Sequence, residues 1–327
     1  MKGDEGPEMG PRDDTEASGD AAVLEVSRPE GSWPPGPAEG LPADVRSRRW
    51  EQFLKFWRTF RERPSAVAGL GIVFAALVIA ALAPILAPYD PFSLSGPPLA
   101  APSADHFFGT DVIGRDILSL VIYGFRVALL FGLGVAGITL VLGIVLGAIP
   151  AYFGGVIDDV FSRFFEVVLT IPRLVLTIIL VVFLGNSLTQ VMIVVALTFW
   201  PSNAKIIRAQ VLSIKSRGFV RAAVASGAGH TRVLVRHVVP NGIYPVIANT
   251  AMQMGFAILF EASLSFLGLG DPNVPSWGQL LAEANLRRSA WWMSVFPGIA
   301  ITIMVVGFNL IGDGMNHALD PRLRNRR

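Results

Sequence analysis

Six apolar runs, each near or above the roughly 20 residues a helix needs to cross a bilayer core, dominate this sequence. They cover about 66–86, 122–148, 161–184, 188–207, 243–267 and 293–311. No water-soluble fold accommodates so many such runs. Only 16% of the 327 residues are charged, where soluble domains carry about 25%. Lipid cannot satisfy free backbone N–H and C=O groups, so each run is expected to be a helix and the fold class all-α, polytopic, with six transmembrane helices. Pro172, Pro201 and Pro297 are expected to kink the helices that carry them.

The flanks orient the chain. The stretch "RSRRWEQFLKFWRTFRER" places Trp50, Phe53, Leu54, Trp57 and Phe60 on one helical face and basic residues around it. Such a helix suits a headgroup layer, or else packs its aromatic face on the bundle. The segment from Lys205 to Pro240 holds Lys205, Arg208, Lys215, Arg217, Arg221, Arg232 and Arg236 with no acid, and the terminal "DPRLRNRR" is basic too. With six spans all three clusters fall on one side, which the positive-inside rule makes cytoplasmic: N-in/C-in. Residues 1–44 are acidic and poor in apolar side chains, and read as a disordered tail. The expected organisation is tail 1–44, basic amphipathic helix 45–64, first helix and external loop 65–117, a five-helix core 118–313 with a cytoplasmic loop 209–240, and a basic tail 314–327.

Chemistry is largely excluded. There is no cysteine, hence no disulfide, thiol nucleophile or cysteine metal site. No GxxxxGK[ST], HExxH or GxSxG pattern occurs, so nothing reads as a P-loop or hydrolytic centre. Nothing points to nucleic acid, and the expected surroundings are membrane lipid.

The loop "VRAAVASGAGHTRVLVRHVVP" narrows the function. It resembles the EAA motif of permease subunits of ATP-binding-cassette importers, with Ala222, Ala223, Gly227 and Pro240 in register, Arg221 in place of the usual Glu and Val239 in place of the usual Leu. Three further stretches are similar to the second permease subunit of the dipeptide/oligopeptide/nickel branch. They are "HFFGTDVIGRDILSLVIYGFRVAL", "EASLSFLGLGDPNVPSWGQLL" and "FNLIGDGMNHALDPRLR". The resemblance runs from about Arg61 to Arg324. It implies a type I importer permease fold, a multi-pass protein of a bacterial or archaeal cell membrane, and passage of di- or oligopeptides. Nickel or glutathione are the cargo of close relatives.

The resemblance also implies partners: a homologous permease, one or two cytoplasmic ATPases that use ATP and Mg, and an extracytoplasmic solute-binding protein. This chain would bind no cofactor of its own. Arg221, Ala222, Ala223, Ser226, Gly227, His237 and Pro240 would form the element that docks in the ATPase. Small side chains there let a short helix seat closely, Gly227 or the Gly227–Gly229 pair breaks it, and Pro240 is expected to start the fifth span, where its missing N–H costs nothing.

Ionisable residues near the spans have their own readings. Glu261 lies inside the fifth run, where a charge is expensive, and reads as an outer gate or structural pair. Asp111, Arg115 and Asp116 precede the second helix and read as a local salt-bridge network. Asp313 is expected to close the sixth helix as a cap or pair. A stand-alone secondary transporter should show inverted repeats and several midplane charges, whereas a single internal acid and no repeat are visible.

Overall fold

The structure, a computed structural model, describes residue 54, residues 56–287 and residues 289–319. The acidic tail 1–44, much of the 45–64 helix and residues 320–327 lie outside them. Where the 45–64 helix is described, at 56–60, it is helical, with Phe60 buried and Leu54 and Trp57 exposed. Phe60 sits against the end of the last helix, since a Cβ on Gly314 would lie 2.9 Å from its ring.

The boundaries follow from capping and from glycine and proline. Helix α1 (Pro64–Ala81) starts with a proline whose missing N–H is no loss, and α2 (Ala83–Leu86) extends it. Helix α3 (Ile117–Phe153) is capped by Asp116, which accepts from Ser119 N at 2.8 Å, and stops at Gly154, whose φ is +74°. At 37 residues it is about 55 Å long and overshoots the bilayer core. Next come α4 (Gly155–Thr170), α5 (Arg173–Leu184) and α6 (Leu188–Lys215), the last begun by a capping box of Ser187 and Gln190. Helices α7 (Gly218–Ala225) and α8 (His230–Val233), a π-helical turn at Leu234–Val238 and α9 (Val239–Gly242) form the long loop. Helix α10 (Tyr244–Phe266), a short helix α11 (Trp277–Asn285) and α12 (Trp292–Ala318) complete the described residues.

Four helices, α1, α3, α6 and α12, are individually long and apolar enough to span a membrane. Two bent pairs qualify together, which gives six spans when each pair crosses once. Large apolar side chains such as Phe74 (66% exposed) and Phe183 (82%) cover the outside of the bundle. In lipid such a surface costs nothing, because a hydrocarbon chain solvates a phenylalanine as well as another side chain does.

The structure corrects several expectations. Pro172 does more than kink its run: α4 and α5 meet at 91° across Ile171–Pro172. Proline forbids the helical hydrogen bond and pushes the preceding residue to extended geometry, and Ile171 has φ −72°, ψ 130°. Pro201 and Pro297 instead remain inside unbroken helices. Pro240 does not start the fifth span. It sits in α9, separated from α10 by a 58° bend, and the proline in the first turn of α10 is Pro245. Helix α12 runs to Ala318, so Asp313 lies within it and does not cap it. The short helix α11 had no sequence expectation.

Packing centres on α3, whose most extensive partner is α6. Gly143 and Gly147 are four apart on one face of α3, and a Cβ on either would lie 2.5 Å from α6, at Asn203 Cβ and at the Ala204 carbonyl oxygen. This small-xxx-small face lets two backbones approach where no hydrophobic force pushes helices together in lipid.

Candidate functional site

The long loop between α6 and α10 is anchored on one face and bare on the other. Val220, Val233, Leu234 and Val238 are buried against Ile207, Val211 and Ile214 of α6 and Ala148 and Ala151 of α3. Lys215 Nζ donates to the Ala151 carbonyl at 2.8 Å, and Tyr152 Oη lies 3.3 Å from His230 Nδ1. The first ties the end of α6 to the end of α3, and the second fastens the loop there. Facing outward are Phe219, Arg221, Ala222, Val224, Ala225 and Ser226 of α7 and its cap, while Ala223 is half-buried.

Helix α7 ends in a full Schellman motif. Gly227 N donates to the Val224 carbonyl at 2.9 Å and Ala228 N to the Ala223 carbonyl at 3.1 Å, with Gly227 at φ +82°. That conformation costs an L-residue about 1–2 kcal/mol, which is why a glycine is needed here. A Cβ on Gly227 would meet nothing within 4 Å, so the space beyond it is open. The second segment turns back through the π-helical turn, with Arg232 and Arg236 exposed and His237 half-buried. The His237 carbonyl accepts from Asn241 Nδ2 at 2.6 Å, and Pro240 is exposed in the following turn. Arg221 forms no ion pair among the described residues.

At the opposite end, Asp111, Arg115 and Asp116 are gathered with His106 and Thr110. One oxygen of the buried Asp111 accepts from the amides of Ile113, Gly114 and Arg115 at 3.0, 2.9 and 2.8 Å, and its other oxygen takes the Arg115 Nε–H. Asp116 accepts from Ser119 N and Oγ, both at 2.8 Å, and lies 3.0 Å from His106 Nδ1. Trp292 Nε1 donates to the Thr110 carbonyl at 3.2 Å, which ties this cap to the start of α12. Arg115 also reaches Glu283 of α11 at 3.5 Å. Burial raises the pKa of Glu283, against the pull of Arg115, and Asp111 adds to the rise.

Glu261, buried in α10, accepts from Ser265 Oγ at 2.7 Å and Ser276 Oγ at 2.9 Å. Ser276 is the N-cap of α11, so the carboxyl joins α10 to that short helix. Trp277 Nε1 then donates to the Val121 carbonyl of α3 at 3.1 Å. The loop before α11 is held by Asp271, which burial pushes up but hydrogen bonds from Asn273 and Leu188 bring below its ordinary pKa. Asp313 stands apart from all of these, exposed and without an ion pair among the described residues.

Sequence reasoning passed over two features between these ends, at Arg173 and at Arg208, and read a third residue, Asn203, only as helix packing. Arg173 stands at the break of the third run, its guanidinium 4.3 Å from the centre of the Phe199 ring and one nitrogen 3.2 Å from Ser202 Oγ. An arginine directly after Ile171–Pro172 inside an apolar run was a visible signal. Arg208 binds Asp158 through two nitrogens at 2.7 and 2.8 Å, joining α4 to α6. Asn203, fully buried, donates to Thr250 Oγ1 at 3.1 Å and Gln253 Oε1 at 3.2 Å and accepts from Asn249 at 2.7 Å. Nothing in the local sequence marks that cluster, because its members lie on two helices.

Comparison with known proteins bears on most of the chain. The family model described as binding-protein-dependent transport system inner membrane component matches residues 139–325, and the N-terminal TM domain of oligopeptide transport permease C matches residues 51–102. The chain is 37% identical over 280 residues to the dipeptide transport system permease protein of Alkalihalophilus pseudofirmus, covering 84% of this chain and 91% of that one. It is 37% identical to its counterpart in Haemophilus influenzae over 83% of this chain and 95% of that one. It is 34% identical to the oligopeptide transport system permease protein of Bacillus subtilis over 90% of this chain and 98% of that one.

Proposed function

The chain belongs to the family of binding-protein-dependent transport system inner membrane components, and from that premise we propose that it is one permease subunit of an ATP-driven importer of di- and oligopeptides. Relatives named for dipeptide, di/tripeptide and oligopeptide transport, each sharing most of their length with it, carry the reading. The protein is a multi-pass membrane permease and not an enzyme. Hydrolysis of ATP, with Mg, falls to cytoplasmic partner subunits. A homologous permease forms the other half of the path, and an extracytoplasmic binding protein delivers the peptide.

In this reading the exposed face of α7 is the docking element. Its apolar knobs Phe219 and Val224, the small Ala222, Ala225 and Ser226 between them, and the open side of Gly227 fit a groove on an ATPase. ATPase closure then moves α7, and the anchors Val220, Val233 and Val238 pass the displacement to α3 and α6 as a rigid-body shift. The N-in/C-in orientation places this loop, the 45–64 helix and the C-terminus on the ATPase side. Asp111, Arg115, Asp116 and Glu261 hold the outer face in shape.

Reconstitution tests it. Proteoliposomes holding the chain, its sister permease and the ATPases should accumulate labelled dipeptide only with ATP and binding protein present. Uptake of nickel or glutathione in place of peptide would reassign the cargo. Uptake driven by a proton gradient without ATP would overturn the reading.

A further inference from the structure

The 91° break in the third span opens a cleft of about 290 Å³ beside it, walled by Leu169, Thr170, Pro172, Arg173, Leu176 and Thr198. Its volume is at the low end of small-molecule sites, which run from roughly 300 to 1,000 Å³. Arg173 is the charged group in its wall. It pairs with Ser202, near the middle of the 28-residue α6, so the cation stands well away from either end of that helix.

A charged side chain at such a depth is expensive, and proteins that keep one pair it or use it. Arg173 makes no ion pair among the described residues. What holds it is neutral: the Phe199 ring at 4.3 Å stacks on the guanidinium, and Ser202 accepts one hydrogen bond. A guanidinium carries five N–H donors in a planar fork matched to a carboxylate. One bond to a serine therefore leaves most of the fork directed at no described partner. The cleft wall adds hydroxyls and, among the described residues that line it, no carboxylate. Thr177 and Thr198 lie 3.4 Å apart, with their Oγ1 atoms donating to the Arg173 and Val195 carbonyls. The group is thus oriented by its neighbours and lacks a counter-ion.

We propose that the Arg173 cleft is a carboxylate-binding station on the translocation path, where the guanidinium takes the C-terminal carboxylate of a peptide in transit. The proposal rests on the peptide-permease reading above. It adds a substrate contact within this chain to whatever selection a binding protein exerts. A stacked guanidinium with a single hydroxyl partner also suits a transit site, because a carboxylate can leave it without a competing ion pair being rebuilt.

The absence of native cysteine makes a direct test simple. Leu176→Cys puts a thiol on the cleft wall of the complete complex, its partners freed of reactive cysteines. Labelling rates are compared for an anionic and a cationic methanethiosulfonate, each normalised to a free thiol. A lone cation a few ångströms away should favour the anionic reagent by about tenfold or more. That preference should survive Arg173→Lys and disappear in Arg173→Gln. Dialanine added directly to the detergent-solubilised complex, bypassing the binding protein, should slow labelling, and dialanine amide should not.

Charge-blind labelling of Leu176→Cys overturns the proposal. So does a charge preference with no protection by dialanine, the result expected if an acid of the sister permease occupies Arg173. Should Arg173→Gln fail to assemble, the reagent preference and the dialanine-versus-amide contrast in the Leu176→Cys background still decide. Wild-type proteoliposomes that import no peptide would sink the functional reading instead, whatever the labelling shows.

Discussion

Replacing Asn203 by leucine removes the polar join between α6 and α10 and leaves the shape nearly unchanged. Asn203 is fully buried, and its side chain makes three hydrogen bonds to α10, at 3.1, 3.2 and 2.7 Å. Between helices in a membrane such bonds average about 0.6 kcal/mol and reach about 1.7. Three of them give about 2 kcal/mol. The substitution also strands the Asn249 amide donor and the Gln253 oxygen. A buried orphan costs about 1–3 kcal/mol, although Gln253 Nε2 keeps a 3.4 Å contact to the Phe199 carbonyl. The expected loss is therefore about 2–4 kcal/mol. Reversible unfolding of the chain in mixed micelles titrated with SDS measures it. The double variant Asn203→Leu, Gln253→Leu should lose less than the sum of the singles, by about 1 kcal/mol, since the second change removes an orphan made by the first. A single-mutant loss below about 0.5 kcal/mol, or strict additivity, would falsify the view of this cluster as one network.

Gly227→Ala should cost about 1–2 kcal/mol of loop stability from backbone strain alone, as no atom lies within 4 Å of the new Cβ. Gly229→Ala, equally open but with φ −61°, should cost far less. Gly227→Asp should insert in the membrane normally yet abolish ATPase co-purification and uptake, and unimpaired uptake would remove α7 from the docking role. Arg221→Glu should weaken co-purification with the ATPase at low salt and lose that effect at high salt, as expected of an exposed cation that meets an acid on its partner; indifference at every salt concentration denies such an acid. Glu283 binds its proton more tightly folded than unfolded, so its charged form destabilises the outer cap as pH rises above the ordinary value of 4.5. Glu283→Gln should accordingly raise the melting temperature at neutral pH and change nothing below that value. Destabilisation at neutral pH would mean that the Arg115 pair outweighs burial.

What could be read from the sequence divides along physical lines. The apolar runs and the loop survive because each is a local property: an apolar run of bilayer length announces itself without reference to any neighbour, and four of the six are single spanning helices while two are bent pairs. Gly227 was equally visible, since a helix-ending glycine followed by a second cationic segment is a pattern along one chain. The third span shows the limit. Ile171–Pro172 advertised a disturbance, but whether a proline bends a helix or breaks it depends on what packs beside it. Pro201, fully enclosed by neighbours, stays helical, whereas Pro172 is exposed beside the cleft. Pro240 and Pro245 sit five apart, and only the packed geometry assigns the second to the first turn of α10. Long-range joins such as Arg208–Asp158, Asn203–Gln253 and Glu261–Ser276 are set by two helices at once, and no single stretch encodes them.

The two faces of the molecule differ in how they are built, and the difference suits a lever. At the end that carries α11, carboxyl groups and indole N–H groups are committed to backbone or hydroxyl partners across elements. Asp111 and Asp116 bind four amides between them, Trp292 holds the cap to α12, Trp277 holds α11 to α3, and Glu261 ties α10 to α11. Such mutually satisfied groups resist displacement, because moving one strands another. At the opposite end, α7 is one exposed helix, a π-helical turn interrupts the return segment, and a 58° bend precedes α10. A π-helical turn bonds residues five apart instead of four, and such turns are found frequently at functional sites. On the docking reading, displacement enters at the compliant end. It crosses the Asn203 join while α6 and α10 move together, and it is resisted at the outer cap. Motion then diminishes from α7 toward that cap, with the Asn203 join between the two ends.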